Sequence, residues 1–277
     1  MSRSSSSTTL SPAGVERLQR RILEWYATSG RDLPWRHTDD PFAILVAEVM
    51  LQQTQVARVI ARYQAFMLRF PTLGTLAQAP LAEVLAVWAG LGYNNRAVRL
   101  RACARAVTAD RPDAPRLPGT LAELEALPGI GPYTARAVLI FAHDADLAAV
   151  DANVRRVLTH ELRLPADLTP AALQVVAERV LPAGRSRTWH NAVMDYGALV
   201  LTARATGIAP RTKQSAFVRS RRWYRARLVR LLVEQSPRAL AALPELLDLP
   251  PEDVDEIISL LEGDGLLRLV GELVELA

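Results

Sequence analysis

The sequence holds one cysteine, Cys103, and one lysine, Lys213, among its 277 residues. A single cysteine excludes an internal disulfide and any metal site that needs several cysteines. A single lysine leaves almost no side-chain amine for Schiff-base chemistry. No apolar run approaches the roughly 20 residues that span a bilayer, so we expect no membrane segment. The Ser-rich residues 1–10 lack an apolar signal core, and we expect a disordered tail on a cytoplasmic, nucleoid-associated bacterial protein.

The positive charge of the chain is concentrated before Ser236. From Ser236 to Ala277 ten acidic residues face two arginines, whereas the preceding residues carry an excess of twelve positive charges, nearly all from arginine. A basic body attracts polyanions, and nucleic acid is the commonest of them. Because many unrelated proteins share such a surface, the motifs have to decide the function.

Apolar residues recur at helical spacing through most of the chain, which predicts an all-α body. Ser11 and Pro12 predict the start of a first helix that ends at Gly30, and two more helices are expected to open near Pro41 and Val56. The remaining helices of the body are predicted over residues 81–88, 95–109, 121–127, 134–143, 153–162, 170–180 and 189–202.

A different pattern follows the basic stretch 219–230. Two helices and two short apolar strands around Gly271 predict a small winged-helix-like module over residues 219–277. The helix in the recognition position, residues 251–262, carries five carboxylates that groove binding would press against phosphates. We therefore expect this acidic helix to pack within the protein or to bind a protein partner.

The sharpest local motif is Leu127-Pro128-Gly129-Ile130-Gly131-Pro132-Tyr133-Thr134, a short helix, a glycine hairpin and a new helix. Glycines allow close approach of another backbone, and a helix N-terminus offers free N–H groups to an anion. Such a hairpin can hold a DNA phosphate without reading sequence. The alternative is a plain corner between two helices.

Two carboxylates stand in positions suited to acid–base chemistry. Asp151 follows an apolar segment and precedes a helix, which is also the ordinary position of an N-cap. Glu48 shares a helix face with Ile44, Leu45 and Leu51, so we expect a raised pKa and a retained proton, as a general acid requires. A salt-bridged glutamate at a helix edge is the alternative for Glu48.

The order of hairpin, helix, apolar link and aspartate resembles the helix-hairpin-helix glycosylases, whose superfamily includes endonuclease III. The segment Glu48-Val49-Met50-Leu51-Gln52-Gln53-Thr54-Gln55 resembles the MutY adenine DNA glycosylases in particular. Leu33-Pro34-Trp35-Arg36, Gly90-Leu91-Gly92-Tyr93 and the stretch 191–198 agree with that family. Trp35 and Tyr93 have core packing as an alternative. The resemblance covers roughly Leu18 to Thr202 and implies a two-lobed helical fold: a six-helix domain over 30–143 and a second lobe from 11–29 with 144–218.

The resemblance also implies roles for individual residues. In the reaction Glu48 protonates the leaving base, Asp151 faces the sugar cation and assists water, and Tyr133 and Asn153 orient the carboxylates. Double-stranded DNA with a mispaired or damaged base is the implied partner. The residues expected to bind it are Gln53, which wedges into the duplex, Tyr93, which intercalates, and the hairpin residues Gly129, Ile130, Gly131 and Thr134; Trp35, Arg36, Leu51 and Asp195 are expected at the base pocket.

Three departures from the family bear on this interpretation. The places of its four iron–sulfur cysteines hold Leu201, Ile208, Arg211 and Phe217, so we expect no cofactor, with Leu201 and Phe217 packing where the cluster would sit. The acidic module stands where MutY proteins usually carry a domain that recognises 8-oxoguanine. Tyr133 occupies the place of the Schiff-base lysine of bifunctional relatives, which predicts a glycosylase without strand cleavage.

Three functions remain open at this point. The first is a glycosylase that removes adenine opposite 8-oxoguanine or guanine, favoured by residues 52–55. The second is a glycosylase for thymine or uracil opposite guanine, supported by residues 35–38 and 150–153, which look like archaeal thymine-mismatch relatives, and by Tyr133. The third is a DNA-binding protein without catalysis, which the presence of both carboxylates disfavours.

Overall fold

The structure, a computed structural model, describes residues 11–209 and 217–277. Its helices form two compact units. The described residues of the first unit are 11–39 and 132–209, and those of the second are 40–131 and 217–277. The tail expected at residues 1–10 and the position of Arg211 lie outside the described residues.

The described part of the first unit contains six α-helices and one short 3₁₀ helix at Pro34–Arg36. Its α-helices are α1 (Pro12–Ser29), α8 (Pro132–His143), α9 (Ala152–Glu161), α10 (Pro170–Arg179), α11 (Ser186–Leu199) and α12 (Ala203–Thr206). A core of buried side chains from α1, α9, α10 and α11 holds this unit together, with Ile22, Val157 and Leu158 almost fully removed from solvent.

The second unit contains the remaining helices and a small antiparallel sheet. Its helices are α2 (Pro41–Leu51), α3 (Val56–Arg69), α4 (Leu73–Gln78), α5 (Leu81–Trp88), α6 (Asn95–Asp110), α7 (Leu121–Glu125), α13 (Arg221–Glu234), α14 (Leu243–Leu247) and α15 (Pro251–Gly263). The strands β1 (Arg238–Ala239), β2 (Leu267–Val270) and β3 (Leu273–Leu276) pair in the order β1-β3-β2. The rings of Phe66, Phe70 and Trp88 meet edge to face in its core.

The prediction of an all-α body is confirmed, and local chemistry explains the helix starts. Ser11 caps α1 by accepting a hydrogen bond from Gly14 N–H, with Pro12 in the first turn. Asp40 caps α2 by accepting from Phe42 and Ala43 N–H. Helices α4 and α12 were not predicted, because six and four residues are too few for a visible apolar period. Helix α13 was not predicted either, because its sequence was interpreted only as a basic stretch.

The C-terminal module has the predicted strands on either side of Gly271, whose φ is 61°. It also has β1, which was not predicted because two residues carry no alternation. Acidic groups of α15 and of its C-cap pair with basic groups of α13: Arg221 with Glu256 at 2.7 Å, and Arg225 with Asp264. Ion pairs within the module therefore use part of the negative charge of the acidic helix α15 and its C-cap. A protein partner for it stays a prediction.

The units differ from the predicted domain boundaries at three places. Residues 30–39 belong to the first unit, because Arg31 and Arg36 form ion pairs with Asp195 of α11. Helix α8 also belongs to the first unit. The C-terminal module groups with the second unit, where α13 packs against α5.

Candidate functional site

Asp151 lies at the N-terminus of α9 in the first unit. Its Oδ1 accepts a hydrogen bond from Val154 N–H at 2.6 Å, and its Oδ2 accepts one from Asn153 Nδ2 at 2.8 Å. Burial raises the pKa of the Asp151 carboxyl above its ordinary value of 3.8, while these hydrogen bonds and the charge of Arg156 oppose the rise. Asp151 is therefore the N-cap of α9, and burial destabilises its ionised form.

Asn153 is oriented by Arg156, a residue that the sequence analysis did not single out. Arg156 Nη2 donates to Asn153 Oδ1 and to Gly197 O, each at 2.7 Å, and Arg156 Nε donates to Leu201 O at 2.5 Å. This contact fixes which end of the Asn153 amide faces Asp151. The predicted positioning role of Asn153 thus has a geometric basis in the first unit.

Gly197 of α11 lets α9 approach closely at this point. A Cβ at Gly197 would lie 2.8 Å from Asn153 Cβ and 3.0 Å from Asn153 O. Neither atom belongs to the end of a flexible side chain, so any side chain at position 197 would push the start of α9 away.

His190 supports the segment that leads into Asp151. Its Nε2 accepts a hydrogen bond from Ala149 N–H at 2.9 Å, and its Nδ1 is 2.8 Å from Ser186 O. These contacts require the neutral ring with its proton on Nδ1. Burial lowers the pKa of His190, while the contact with Ser186 and the charge of Asp144 oppose that effect. The sequence contains no signal for this role, because the acceptor and the donor are 41 residues apart.

The neutral state of His190 predicts acid sensitivity of the fold. Because its folded pKa is lowered from 6.5, the unfolded chain binds the proton first as pH falls below that value. We expect the free energy of unfolding to drop there by up to about 1.4 kcal/mol per pH unit. Denaturant unfolding of the wild type at pH 7.5 and 5.5 measures this slope. His190→Gln should flatten it, and His143→Gln, at an exposed site, should not. Equal slopes in the wild type and His190→Gln would contradict the assignment.

Asp195 of α11 forms a buried ion pair with two arginines. Its carboxylate is fully buried and accepts from Arg31 Nε and Arg36 Nη2, each at 2.8 Å. Burial would raise the pKa of Asp195, but the hydrogen bonds from Arg36 and Arg31 outweigh it and hold the pKa below its ordinary value. Asp195 and Arg36 therefore bind each other and stabilise the first unit, a structural role that was not predicted. Their predicted place at the base pocket stays a prediction. Trp35, half-buried in the 3₁₀ helix, stays a candidate for that pocket.

Glu48 lies in the second unit on α2, a helix buried on all sides from Phe42 to Met50. Only 9% of Glu48 is exposed, and its helical neighbours Ile44, Leu45 and Val49 are apolar and buried. The helix neighbours predicted for Glu48 at positions 44 and 45 are therefore buried, while its role as a proton donor stays a prediction. Leu51, the last residue of α2, is half-buried in the same unit.

Two turns of the second unit hold their central residues in the left-handed backbone region. Gln53, just after α2, has φ 56° and is exposed, and Tyr93 has φ 48° between Gly92 at 70° and the start of α6. Side chains other than glycine rarely adopt this conformation, least of all bulky ones, and it concentrates at functional sites. Both residues are those expected to enter the duplex.

Arg96 of α6 joins these two turns. Its guanidinium donates to Val49 O and Gln52 O, each at 2.7 Å, and to Gly92 O at 3.0 Å. It also lies 5.6 Å from the centroid of the Tyr93 ring. Burial lowers the pKa of Arg96 to about 10, so it stays charged at neutral pH. Sequence reasoning missed Arg96, because its acceptors are backbone carbonyls that no motif displays.

The glycine hairpin stands where the chain passes from the second unit to the first. Gly129 has φ 79°, and a Cβ there would lie 2.7 Å from Arg99 Cβ, so the fold requires glycine. Gly131 has open space around the Cβ position. Ile130 and Thr134 are buried, so their side chains are not available to a ligand, and Tyr133 lies half-buried in the first turn of α8.

The profile of the HhH-GPD superfamily, described as base excision DNA repair proteins, matches residues 46–182. The adenine DNA glycosylase of Mycolicibacterium smegmatis is 44% identical over 195 residues, which cover 68% of this chain and 66% of that protein. The chain belongs to the HhH-GPD superfamily. It spans just under two thirds of the length of that relative.

Two solved structures share the fold of this HhH-GPD protein. A thermostable thymine-DNA glycosylase superposes with a TM-score of 0.65 at 30% identity, covering 72% of this chain and 92% of that one. A trapped endonuclease III–DNA covalent intermediate gives a TM-score of 0.62 at 22% identity, covering 73% and 92%. The resemblance to the helix-hairpin-helix glycosylases is thereby confirmed.

The residues at the family's iron–sulfur positions do not fit a cysteine-ligated cluster. Leu201 packs against the core of the first unit, and Ile208 is half-buried. Phe217 is 46% exposed, and its packing in place of a cluster stays a prediction. The only cysteine, Cys103, lies on α6, and burial raises its pKa to about 12. Among the described residues no group of three or more His, Cys, Asp or Glu side chains is arranged to hold a metal, and no helix is long and apolar enough to cross a membrane.

Proposed function

We propose that this HhH-GPD protein is a monofunctional DNA glycosylase of base excision repair that removes adenine mispaired with 8-oxoguanine or guanine. The observation that carries the proposal is Asp151, a carboxylate held at the start of α9 by Val154 N–H and by Asn153, whose orientation Arg156 fixes. The identity with relatives named adenine DNA glycosylase supports adenine as the base.

The proposed reaction divides the work between two carboxylates. Cutting an N-glycosidic bond in a duplex requires extruding the nucleotide, stabilising a cationic sugar and activating the leaving base. Glu48, on the buried helix α2, supplies a proton to a ring nitrogen of the purine, and Asp151 stabilises the sugar cation and assists the attacking water. Gln53 and Tyr93 enter the base stack of the duplex beside the extruded nucleotide, since the left-handed backbone of each turn holds these residues in fixed positions.

The hairpin is proposed to hold a DNA phosphate, and its two glycines allow a sharp test. Gly131→Ala adds a methyl group in open space, so the melting temperature should be unchanged while the Kd for duplex DNA rises about tenfold as the phosphate is kept away. Gly129→Ala should in addition lose about 1–3 kcal/mol of stability, because position 129 needs a positive φ. Gly119→Ala, also in open space but outside the hairpin, is the control for both. Unchanged DNA affinity in Gly131→Ala would remove the hairpin from the proposed interface.

Removal of thymine or uracil opposite guanine is the second candidate. The likeness to a thymine-DNA glycosylase at 30% identity favours it, as does Tyr133 at the start of α8. Adenine is preferred because the identity to the relative named adenine DNA glycosylase is higher, at 44%.

The test is incubation of the purified protein with duplexes that carry A:8-oxoguanine, A:G, T:G or U:G, followed by alkali. Strand breaks in the adenine duplexes that need alkali and disappear in Glu48→Gln would support the proposal. Breaks only in T:G or U:G would favour the second candidate, and binding without breaks would indicate a DNA-binding protein without catalysis. Because Tyr133 replaces the lysine, borohydride should trap no covalent complex.

A further inference from the structure

Arg222 of α13 brings the C-terminal module into contact with the Tyr93 turn. Arg222 Nη1 donates a hydrogen bond to the Tyr93 hydroxyl, and the guanidinium lies 5.4 Å from the centroid of the Tyr93 ring. The same guanidinium lies 5.4 Å from the ring centroid of Phe217. Arg96 contacts the Tyr93 ring as well. The ring expected to enter the duplex is therefore held by cations from two separate segments.

The position of Arg222 is itself fixed by its neighbours on α13. Arg221 and Arg225 pair with Glu256 and Asp264, at the N- and C-terminal sides of Arg222 in the sequence. Helix α13 also packs against α5, which ends two residues before Gly90. Together with the buried Leu228, Val229 and Leu232, these contacts pack α13 against its neighbours, so Arg222 extends to Tyr93 from a packed helix.

The backbone of Tyr93 and the hydroxyl contact together leave the ring little freedom. The left-handed conformation and the Arg96 contacts fix where the side chain leaves the turn, and the hydrogen bond from Arg222 fixes the far end of the ring. An aromatic ring stacks on any base, because every base has a π-face. Discrimination between bases therefore depends on where the ring is held relative to the base beside it.

We propose that Arg222 is a positioning residue for Tyr93, and that the C-terminal module thereby sets the discrimination between bases left in the duplex opposite the excised nucleotide. The inference rests on the proposed function, because it requires Tyr93 to stack beside that base. It gives the module a part in recognition through Arg222, although the acidic α15 is unsuited to groove binding.

The test is equilibrium binding to duplexes with a tetrahydrofuran abasic-site analogue opposite guanine or opposite cytosine. The wild type should bind the guanine duplex more tightly, and Arg222→Met should reduce the ratio of the two Kd values about tenfold, or about 1.4 kcal/mol. Arg222→Lys should restore part of the ratio, since it keeps the charge without the planar fork. Arg230→Met should leave the ratio unchanged, because this exposed arginine of α13 pairs only with Glu234 in the described residues.

A double-mutant cycle separates positioning from a general DNA contact. Tyr93→Phe removes the hydroxyl that Arg222 binds, so its effect and that of Arg222→Met should be less than additive. Equal loss of affinity for both duplexes in Arg222→Met, full additivity, or a wild type without discrimination would overturn the inference. Because binding needs no base release, a protein that discriminates but excises nothing would contradict the proposed function alone.

Discussion

Asp151→Asn is expected to lower the single-turnover rate of base release by about 10²- to 10⁴-fold, the range for loss of a positioned acid–base group. The amide carries no charge to stabilise the sugar cation. DNA affinity should change little, since the hairpin and the Gln53 and Tyr93 turns belong to other segments. The measurement is the rate of alkali-labile strand formation with enzyme in excess over duplex. Retention of more than about a tenth of the wild-type rate would remove Asp151 from the reaction.

The stability of Asp151→Asn should behave differently from its activity. Because burial raises the pKa of Asp151 in the folded protein, the folded state binds the proton more tightly than the unfolded chain. Stability contributed by this group is present below pH 3.8 and is lost as pH rises through the raised folded pKa. Asp151→Asn does not lose stability as pH rises, because its amide does not ionise. It does lose the hydrogen bond that Asn153 Nδ2 donates to Asp151 Oδ2, which costs about 1 kcal/mol. The free energy of unfolding of Asp151→Asn minus that of the wild type should therefore be more positive at pH 7.5 than at pH 4.

The raised pKa of Asp151 also determines how the rate of base release depends on pH on the acid side. Asp151 must be ionised to face a cation, so the rate should fall as pH drops through a value above 3.8. A rate of base release that begins to fall only below pH 3.8 would contradict the burial of Asp151 in the active enzyme.

Arg96→Met is expected to lower the free energy of unfolding by about 3 kcal/mol or more, because each buried carbonyl left without a donor costs about 1–3 kcal/mol. The carbonyls at risk belong to the end of α2 and to the Tyr93 turn, and Val49 and Met50 are themselves buried. Denaturant unfolding measures the change. Arg105→Met is the matched control on the same helix, since it removes one bond to Ala77 O from an exposed arginine and should cost less than about 1 kcal/mol.

Arg96→Lys should separate stability from the geometry of the turns. Lysine keeps the positive charge but cannot span the carbonyls of Gln52 and Gly92 with a planar fork. We expect an intermediate stability and a base-release rate reduced more than the population of unfolded protein explains. A loss of less than 1 kcal/mol in Arg96→Met would contradict the role of Arg96 in holding the turns.

Residues that act through their own local sequence were predicted well. The capping position of Asp151 and the buried apolar neighbours of Glu48 on its helix, Ile44 and Leu45, each follow from a few neighbouring residues. The helix starts at Pro12, Pro41 and Val56 were predicted for the same reason.

Residues whose partners are distant in sequence were missed. Arg96 and His190 act on backbone atoms about 40 or more residues away, and Arg222 acts on a side chain 129 residues away. No pattern marks a backbone carbonyl as an acceptor, so the sequence could not reveal these contacts. The burial of Asp195 was missed likewise, since its partner Arg31 lies 164 residues earlier in the chain.

We propose that this HhH-GPD protein releases adenine by a reaction that uses Glu48 and Asp151. The most direct measurement is chromatographic detection of the free base from an A:8-oxoguanine duplex, with enzyme in excess, for the wild type, Glu48→Gln and Asp151→Asn. We expect stoichiometric free adenine from the wild type and loss of about two orders of magnitude or more in rate from each variant. Free thymine or uracil from the mismatch duplexes without any adenine, or adenine release that persists in both variants, would contradict it.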